Sequence, residues 1–140
     1  MHEIIQVKTT KREELVDITP QVKAIVQRSG IQNGLVNLYA QGATAAVMIQ
    51  ENWDDSVQTD VIALLGKLIP RGLWRHDAKD DNGDSHLESG LVRPSERIPL
   101  MDGEFGLSTW QTIFCCEFDG PRSIRRIVCT LLQDVDAQSD

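Results

Sequence analysis

The segment TWQTIFCCEFDGPRSIRRIVCTLL, residues 109–132, decides the fold class of this chain. Its first part, 109–118, is apolar on both faces of a β-strand, because alternate residues of a strand point to opposite faces. One face carries Trp110, Thr112, Phe114, Cys116 and Phe118, and the other carries Gln111, Ile113, Cys115 and Glu117. Such a strand predicts a sandwich, a barrel or a subunit interface, in which Gln111 and Glu117 need polar partners.

Further strands are predicted on both sides of this segment from apolar runs and the turns between them. Asp119-Gly120 and Asp102-Gly103 are typical of tight β-hairpins, which would make the C-terminal half an antiparallel meander. Glycine also allows a sharp bend after residue 40. The strand pairs predicted in this way are 2–8 with 14–18, 35–40 with 45–50, 98–100 with 105–107, and 109–118 with 123–132.

Two stretches carry the signals of helices. Thr19-Pro20 predicts the start of a helix over 20–29, which Ser29-Gly30 ends. A second helix has candidate N-caps at 54–56 and a broad apolar face before Pro70. The sequence therefore predicts an α+β fold in one domain, 1–140, with mostly antiparallel sheets in a sandwich or barrel-like core and two main helices.

Composition excludes several classes of protein. A formal net charge of −7 opposes binding to a phosphate backbone, so we expect no nucleic-acid partner. No stretch has the twenty or so apolar residues of a membrane span, and 1–6 lack the features of a signal peptide, so we expect a cytoplasmic protein without membrane contact. The cysteines Cys115, Cys116 and Cys129 lie in apolar, strand-like surroundings and are expected to be reduced core residues.

An acidic segment, 71–85, is longer than most loops and begins a region in which two histidines lie close together in sequence. His76-Asp77 and Asp84-Ser85-His86 supply two imidazoles with neighbouring carboxylates, which favours a metal site or an acid/base site. The alternative is a solvated loop with two surface histidines, because no H-x-x-x-H spacing is present. A short helical turn is expected over 86–91.

Two other polar positions also have two interpretations. Glu51-Asn52 end a buried strand, where side chains often line pockets, although they can equally solvate the strand end and cap a turn. Arg122 follows the 119–121 turn in a local basic cluster with Arg125 and Arg126. Its guanidinium can bind an anion such as phosphate, or neutralise Glu117 or Asp119.

Several of these motifs, in their order and spacing, resemble the YjbQ-like family along almost the whole chain. The matching segments are Thr44-Ala45-Ala46, Gln50-Glu51-Asn52, His76-Asp77, Asn82 through Leu87, Pro94-Ser95, Ile98-Pro99, Ser108 through Gln111, and Glu117 through Arg122. The resemblance implies β-sheets with two helices packed on them, assembly as a homotrimer, and a weak thiamine-phosphate synthase activity.

The resemblance also implies a set of site residues. Those expected to be catalytic are Glu51, His76, His86 and Glu117, those expected to bind substrate are Thr44, Asn52, Asp84, Trp110, Gln111 and Arg122, and those expected to bind metal are His76 and His86. We expect His76 and His86 to converge on one pocket with Glu51 or Glu117.

Two functions are compatible with these residues. The first is a transferase that joins a pyrimidine diphosphate to a thiazole phosphate and releases pyrophosphate. A divalent metal (Mg²⁺ or Zn²⁺) would be held by Glu51 or the acidic loop, Arg122 would bind a phosphate, and His76 or His86 would assist proton transfer. The second is a trimeric protein that binds a metal or a small ligand, such as a phosphorylated metabolite, between subunits without efficient catalysis.

One position departs from the family pattern. Many relatives have a histidine two residues before the threonine of the Thr44-Ala45-Ala46 segment, whereas this chain has Gly42. If that histidine points into the site, we expect this chain to bind metal or catalyse more weakly than those relatives.

Overall fold

The computed structural model describes residues 1–135, which form two antiparallel β-sheets and four helices. The strands are β1 (His2–Val7), β2 (Glu14–Asp17), β3 (Gly34–Ala40), β4 (Ala45–Glu51), β5 (Ser95–Met101), β6 (Glu104–Phe105), β7 (Gln111–Glu117) and β8 (Arg125–Gln133). The helices are α1 (Thr19–Ser29), α2 (Ser56–Leu68), α3 (Asp77–Asp80) and α4 (Gly83–Val92). The larger sheet has the order β1-β8-β3-β5-β6 and the smaller sheet β2-β7-β4.

The two sheets pack face to face, which confirms the predicted α+β fold with a sandwich-like core. Ile113 and Cys115 of β7 lie in the main core with side chains from α1 and the larger sheet. The opposite face of β7, with Phe114 and Cys116, packs into a second cluster that includes Leu65 of α2. Both apolar faces of β7 are therefore covered within one chain, so this strand does not require a subunit interface.

Three of the four predicted strand pairs are wrong, because in each of these three the chain crosses from one sheet to the other between the two strands. β1 pairs with β8 but β2 pairs with β7; β3 and β4 lie in different sheets, and so do β7 and β8. Two of the crossing segments bond to each other instead of forming tight turns: the Thr9 amide donates to the Arg122 carbonyl (2.9 Å) and the Gly120 amide to the Arg12 carbonyl (2.9 Å). The predicted C-terminal meander is therefore absent from residues 1–135.

The hairpin predicted at Asp102-Gly103 is confirmed. β5 and β6 pair antiparallel, with Leu100 opposite Phe105. Asp102 and Gly103 have φ angles of 51° and 80°, the positive values that a type I′ turn requires at both central positions. Here the local signal decides the pairing, because the connection has only two residues.

The two predicted helices are confirmed as α1 and α2, with one change at the start of α1. Thr19 is not the N-cap: its amide donates to Asp17 Oδ1 (2.9 Å), and its hydroxyl accepts a hydrogen bond from the Ile113 amide (3.0 Å). Gly30 ends α1 with φ 73°, as expected for a glycine C-cap. At α2, Asp54 accepts a hydrogen bond from the Ser56 amide (2.8 Å).

The acidic segment is more ordered than the sequence predicts. It contains α3, and the expected helical turn at 86–91 is the end of a longer helix, α4, so the described chain has three helices of ten or more residues instead of two. Gly83, Asp84 and Ser85, which are typical of turns, are buried in the first turn of α4. Tertiary contacts override their turn preference: the Ser85 hydroxyl donates to the Phe118 carbonyl at 2.6 Å.

The three cysteines are buried and free, as expected. Burial raises the pKa of Cys115 to about 12 and that of Cys129 to about 11, and it also raises the pKa of Cys116. These thiols stay protonated and unreactive near neutral pH. Within 1–135, none of the helices has both the length and the apolar character needed to cross a membrane.

Candidate functional site

The two histidines of the acidic segment lie in direct contact. The ring centroids of His76 and His86 are 4.6 Å apart, and the ring planes are inclined at 80°. Asp77 holds the two helices that carry them, because its Oδ2 accepts a hydrogen bond from the Trp74 amide (3.0 Å) and its Oδ1 one from the Gly83 amide (2.8 Å). These bonds to backbone amides lower the pKa of Asp77. The expected convergence of the two imidazoles is thus present.

An open cavity of ≈ 640 Å³ adjoins this histidine pair. His86 and Gly42 both line it, together with neighbouring residues of 39–43 and of the C-terminal half of α4. Ser89 fixes the wall, because its hydroxyl donates to the Ala43 carbonyl at 2.7 Å. His76 is the more exposed of the two histidines, and its Nε2 lies 3.5 Å from Asp80 Oδ2.

Behind Gly42 lies a buried ion pair between Glu117 and Arg125. Arg125 Nε lies 3.0 Å from each Glu117 oxygen, and Nη2 bonds to Glu117 Oε2 as well as to the Thr44 hydroxyl at 2.7 Å. The Thr9 hydroxyl also donates to Glu117, at 2.7 Å. Glu117 and Thr44, both predicted as site residues, are therefore committed to internal hydrogen bonds.

Arg125 also approaches the cavity, although the sequence marked it only as part of a basic cluster. A Cβ atom placed on Gly42 would lie 3.0 Å from Arg125 Nη1. The guanidinium edge that does not face Glu117 is thus next to the cavity wall. Thr9, which carried no sequence signal, completes the network from the crossing segment between β1 and β2.

Arg122 neutralises Asp119 and not Glu117. Its Nη2 lies 3.1 Å from Asp119 Oδ2, and its Nε donates to the Asp119 carbonyl at 3.0 Å. The side-chain amide of Asn82 also donates to Asp119 Oδ2, at 2.8 Å. The interpretation of Arg122 as a partner of a nearby carboxylate therefore holds in this structure.

Four of the predicted residues lie at the opposite end of the smaller sheet: Glu51, Asn52, Trp110 and Gln111. Glu51 pairs with Gln111, whereas Ala45, at the other end of β4, pairs with Glu117. Six residue steps along the strand separate these pairs, or about 20 Å. Glu51 and the histidines therefore do not share a pocket. Trp110 packs edge to face on Trp53 with centroids 4.4 Å apart, and the Asn52 amide donates to the Trp110 carbonyl.

Asp84 faces away from the histidines, in a group of three acidic side chains that the sequence analysis missed. Three carboxylate oxygens lie within 4.8 Å of one another, one each from Glu13, Asp84 and Glu88. Asp84 and Glu88 share one face of α4, because they are four residues apart, whereas His86 lies between them on the other side. Arg12 pairs with Asp84 at 3.2 Å. The signal available in the sequence was the spacing of four residues between Asp84 and Glu88, which places both carboxylates on one face of a helix.

Glu88 is the most perturbed acid in this group. It is 2% exposed, and burial, followed by the charges of Glu13 and Asp84, raises its pKa to about 7 despite the opposing charge of Arg12. Its Oε1 has no hydrogen-bond partner within the described residues. A second open cavity, of ≈ 530 Å³, reaches this group and is lined by Arg12 and Arg71 as well as by the three acids.

Comparison with known proteins places the chain in one family. The family model described as UPF0047 protein YjbQ-like matches residues 3–134. UPF0047 protein MJ1081 of Methanocaldococcus jannaschii is 45% identical over 117 residues, 84% of each chain. UPF0047 protein YugU of Bacillus subtilis is 37% identical over 126 residues, 88% of this chain and 93% of that protein.

Solved structures agree with this assignment. A crystal structure of a YbjQ-like protein of unknown function from Sulfolobus solfataricus superposes with a TM-score of 0.92, at 35% identity, over 96% of this chain and 97% of that one. Hypothetical protein APE1520 from Aeropyrum pernix gives a TM-score of 0.90, at 32% identity, over 96% and 99%. The chain belongs to the UPF0047, or YjbQ-like, family.

Proposed function

We propose that this chain binds a zinc-type divalent metal ion at the His76–His86 pair and a small anionic ligand, such as a phosphorylated metabolite, in the adjoining cavity. The observation that carries the proposal is the contact of the two imidazoles, with centroids 4.6 Å apart. Two imidazoles bound to one tetrahedral Zn²⁺ have centroids about 5 Å apart, given Zn–N bonds near 2 Å. To bind one ion, each imidazole would have to direct a ring nitrogen towards it.

Zn²⁺ suits this pair better than Mg²⁺, because imidazole nitrogen is a common zinc ligand and Mg²⁺ prefers oxygen. Within 1–135, the histidine pair has no third His, Cys, Asp or Glu ligand close enough to complete a three-ligand group. Position 42, on the wall of the same cavity, is a glycine and supplies no ligand. We therefore expect the affinity for Zn²⁺ to be modest.

The cavity beside His86 supports the small-ligand part of the proposal. A ligand there would meet the imidazole of His86 on one side and Gly42 on the other, with Arg125 Nη1 directly behind the glycine. The guanidinium and the metal would both attract a phosphate or a carboxylate. The absence of a side chain at Gly42 leaves room for such an anion to approach Arg125.

Calorimetric titration with Zn²⁺ at about pH 8 tests the metal site, because a metal ion binds the deprotonated form of a histidine ligand. We expect one ion per chain in the parent protein, and a loss of affinity of about tenfold or more in His76→Ala and in His86→Ala. His2→Ala is the matched control, because His2 is the remaining histidine and lies exposed at the start of β1. Equal affinities in the four proteins would show that the pair does not bind the metal.

The transferase is the second candidate. Its support is that His86 lines the cavity and Arg125 Nη1 lies behind Gly42 in the cavity wall, so proton transfer and phosphate binding could be combined there. Arg122 is paired with Asp119, so it would have to leave this partner to bind a phosphate. Turnover of a pyrimidine diphosphate and a thiazole phosphate should be followed in the parent and in His86→Ala. A parent rate of about 1 s⁻¹ or above, lost in His86→Ala, would favour catalysis. A rate far below 1 s⁻¹ that is about equal in the two proteins would favour binding alone.

We also propose that the chain assembles as a homotrimer. Large apolar side chains are exposed on one helix, at Leu64 and Leu68 of α2, and at the tryptophans Trp53 and Trp110. Exposed apolar patches of this kind are typical of protein–protein contacts. Light scattering at micromolar concentration tests this, because a monomeric mass would contradict the trimer.

A further inference from the structure

The acidic group on the other side of α4 has the features of a second, separate ligand site. We define it as the carboxylate site: Glu13, Asp84 and Glu88. Glu13 lies just before β2, while Asp84 and Glu88 lie on α4, so the site joins two elements that are distant in sequence. The ≈ 530 Å³ cavity connects it to solvent, which gives an ion a path to the site.

Glu88 is the observation that points to a ligand. Its residue is only 2% exposed, it lines the cavity, and its Oε1 is buried without a hydrogen-bond partner within 1–135. Buried carboxylate oxygens in native proteins nearly always have a hydrogen-bond partner, because an unpaired buried acceptor destabilises the folded state. A bound cation would supply the missing partner.

Charge counting leads to the same conclusion. Three carboxylates carry three negative charges, and Arg12, which lies 3.2 Å from Asp84 and 3.4 Å from Glu13, returns one positive charge. Arg71 also lines the cavity, but it is paired with Asp81 at 3.4 Å. Two negative charges remain when the three acids are ionised, and a divalent cation would neutralise both.

The spacing of the oxygens indicates the type of cation. They lie within 4.8 Å of one another. Ca²⁺ binds oxygens at about 2.3–2.6 Å, so two of its ligands can be about 5 Å apart, whereas the shorter bonds of Mg²⁺ limit this separation to about 4 Å. The limit of 4.8 Å is therefore compatible with one Ca²⁺ between the three oxygens.

We infer that Glu13, Asp84 and Glu88 form a binding site for a hard divalent cation of the size of Ca²⁺, separate from the histidine pair. Arg12 stays beside Asp84 and limits the charge of the empty site. Because the ion would join α4 to the segment before β2, its binding stabilises the first turn of α4 and, with it, the position of His86.

Calcium alone is the probe that tests this inference. Calorimetric titration at about pH 8 should show one Ca²⁺ per chain with a dissociation constant below about 1 mM. Glu88→Gln, which keeps the shape and removes the charge, should weaken binding at least tenfold, and Glu13→Gln should also weaken it. Glu104→Gln is the matched control, because Glu104 is exposed on β6 and lies outside the carboxylate site.

Thermal unfolding gives an independent readout. Ca²⁺ should raise the Tm of the parent and of Glu104→Gln, and have little effect on Glu88→Gln, whose own Tm shows that it is folded. The inference is overturned if the parent shows neither heat nor a Tm shift at millimolar Ca²⁺, or if Glu88→Gln binds as the parent does. In the absence of Ca²⁺, Zn²⁺ affinity should be nearly the same in Glu88→Gln and in the parent, so failure of this site and failure of the histidine site are distinguishable.

Discussion

Arg125 of the larger sheet and Glu117 of the smaller sheet form a buried ion pair that joins the two sheets behind Gly42. Arg125 Nε is 3.0 Å from both carboxylate oxygens, and the Glu117 side chain is fully buried. Thr9 and Thr44 bond to the same pair and so connect it to two of the crossing segments. The pair supports one wall of the candidate site, so its loss should affect the fold before it affects chemistry.

Glu117→Ala should lower the free energy of unfolding by about 3–5 kcal/mol, because it leaves the Arg125 guanidinium buried without a counter-charge. Arg126→Ala is the control, since Arg126 is the exposed neighbour on the same strand and should change stability by about 0.5 kcal/mol or less. Urea denaturation measures both. Equal midpoints for the two variants would mean that the ion pair does not stabilise the sheet packing.

Replacement of Gly42 by histidine should increase metal affinity. The backbone permits it, because Gly42 is not among the glycines with positive φ, and the new Cβ would meet only the Nη1 end of Arg125 at 3.0 Å and the Ala45 Cβ at 3.7 Å. A third imidazole on the cavity wall should raise affinity for Zn²⁺ about tenfold to a hundredfold.

Glu104→His is the control for Gly42→His, because it adds an imidazole at an exposed position of β6 that does not line this cavity. Zinc calorimetry of both variants, together with their melting temperatures, gives the result. If a folded Gly42→His binds Zn²⁺ no better than Glu104→His, position 42 does not belong to the metal site.

Asp77 should act as a positioning residue for the histidine pair. Asp77→Ala removes the hydrogen bonds to the Trp74 and Gly83 amides, so α3 and α4 lose the connection that brings the imidazoles together. Zinc affinity should fall about tenfold although no ligand is removed. Asp81→Asn, which removes the charge beside Arg71 and suits the φ of 52° at this position, should keep the parent affinity. A similar loss in both variants would point to charge, and not to positioning, as the cause.

Glu88 should make stability depend on pH. Its pKa in the folded protein is raised from 4.5 to about 7 by burial and by Glu13 and Asp84, with Arg12 opposing. Between about pH 4.5 and 7, Glu88 keeps its proton in the folded state and has lost it in the unfolded state. The stabilisation of the folded state by this proton is therefore fully present below about pH 4.5 and is lost as pH rises through about 7.

Compared with the parent, Glu88→Gln should therefore gain stability as pH rises from 5 to 8, by about 1–3 kcal/mol, since one pKa unit corresponds to about 1.4 kcal/mol. Urea denaturation in the presence of a chelator measures this without bound cations. Glu104→Gln should follow the parent at each pH. A constant difference between Glu88→Gln and the parent would contradict a raised pKa for Glu88.

The sequence predicted the elements of this fold better than their pairing. A run of residues that is apolar on both faces located β7, and the Asp102-Gly103 turn located the β5–β6 hairpin, because both signals act over a few neighbouring residues. Asp119-Gly120 has the same local signal, yet β7 and β8 belong to different sheets. The hydrogen bonds that decide this, such as the one from the Gly120 amide to Arg12, join residues that are far apart in sequence.

In the candidate site, too, the contacts between residues far apart in sequence were not predicted. His76 and His86 were expected to meet, because both flank one segment, and they do meet. Glu51 was grouped with them by residue type and resemblance, but the length of β4 holds it at the other end of the sheet. The carboxylate site was missed because Glu13 reaches Asp84 and Glu88 only through the sheet crossing after β1.

The proposed metal site requires that His76 and His86 bind the same ion. Anomalous diffraction at the zinc absorption edge, from crystals grown with Zn²⁺, would locate that ion. We expect an anomalous peak about 2 Å from a ring nitrogen of each histidine. Two unliganded imidazoles in edge-to-face contact, with zinc absent or bound only elsewhere, would contradict it.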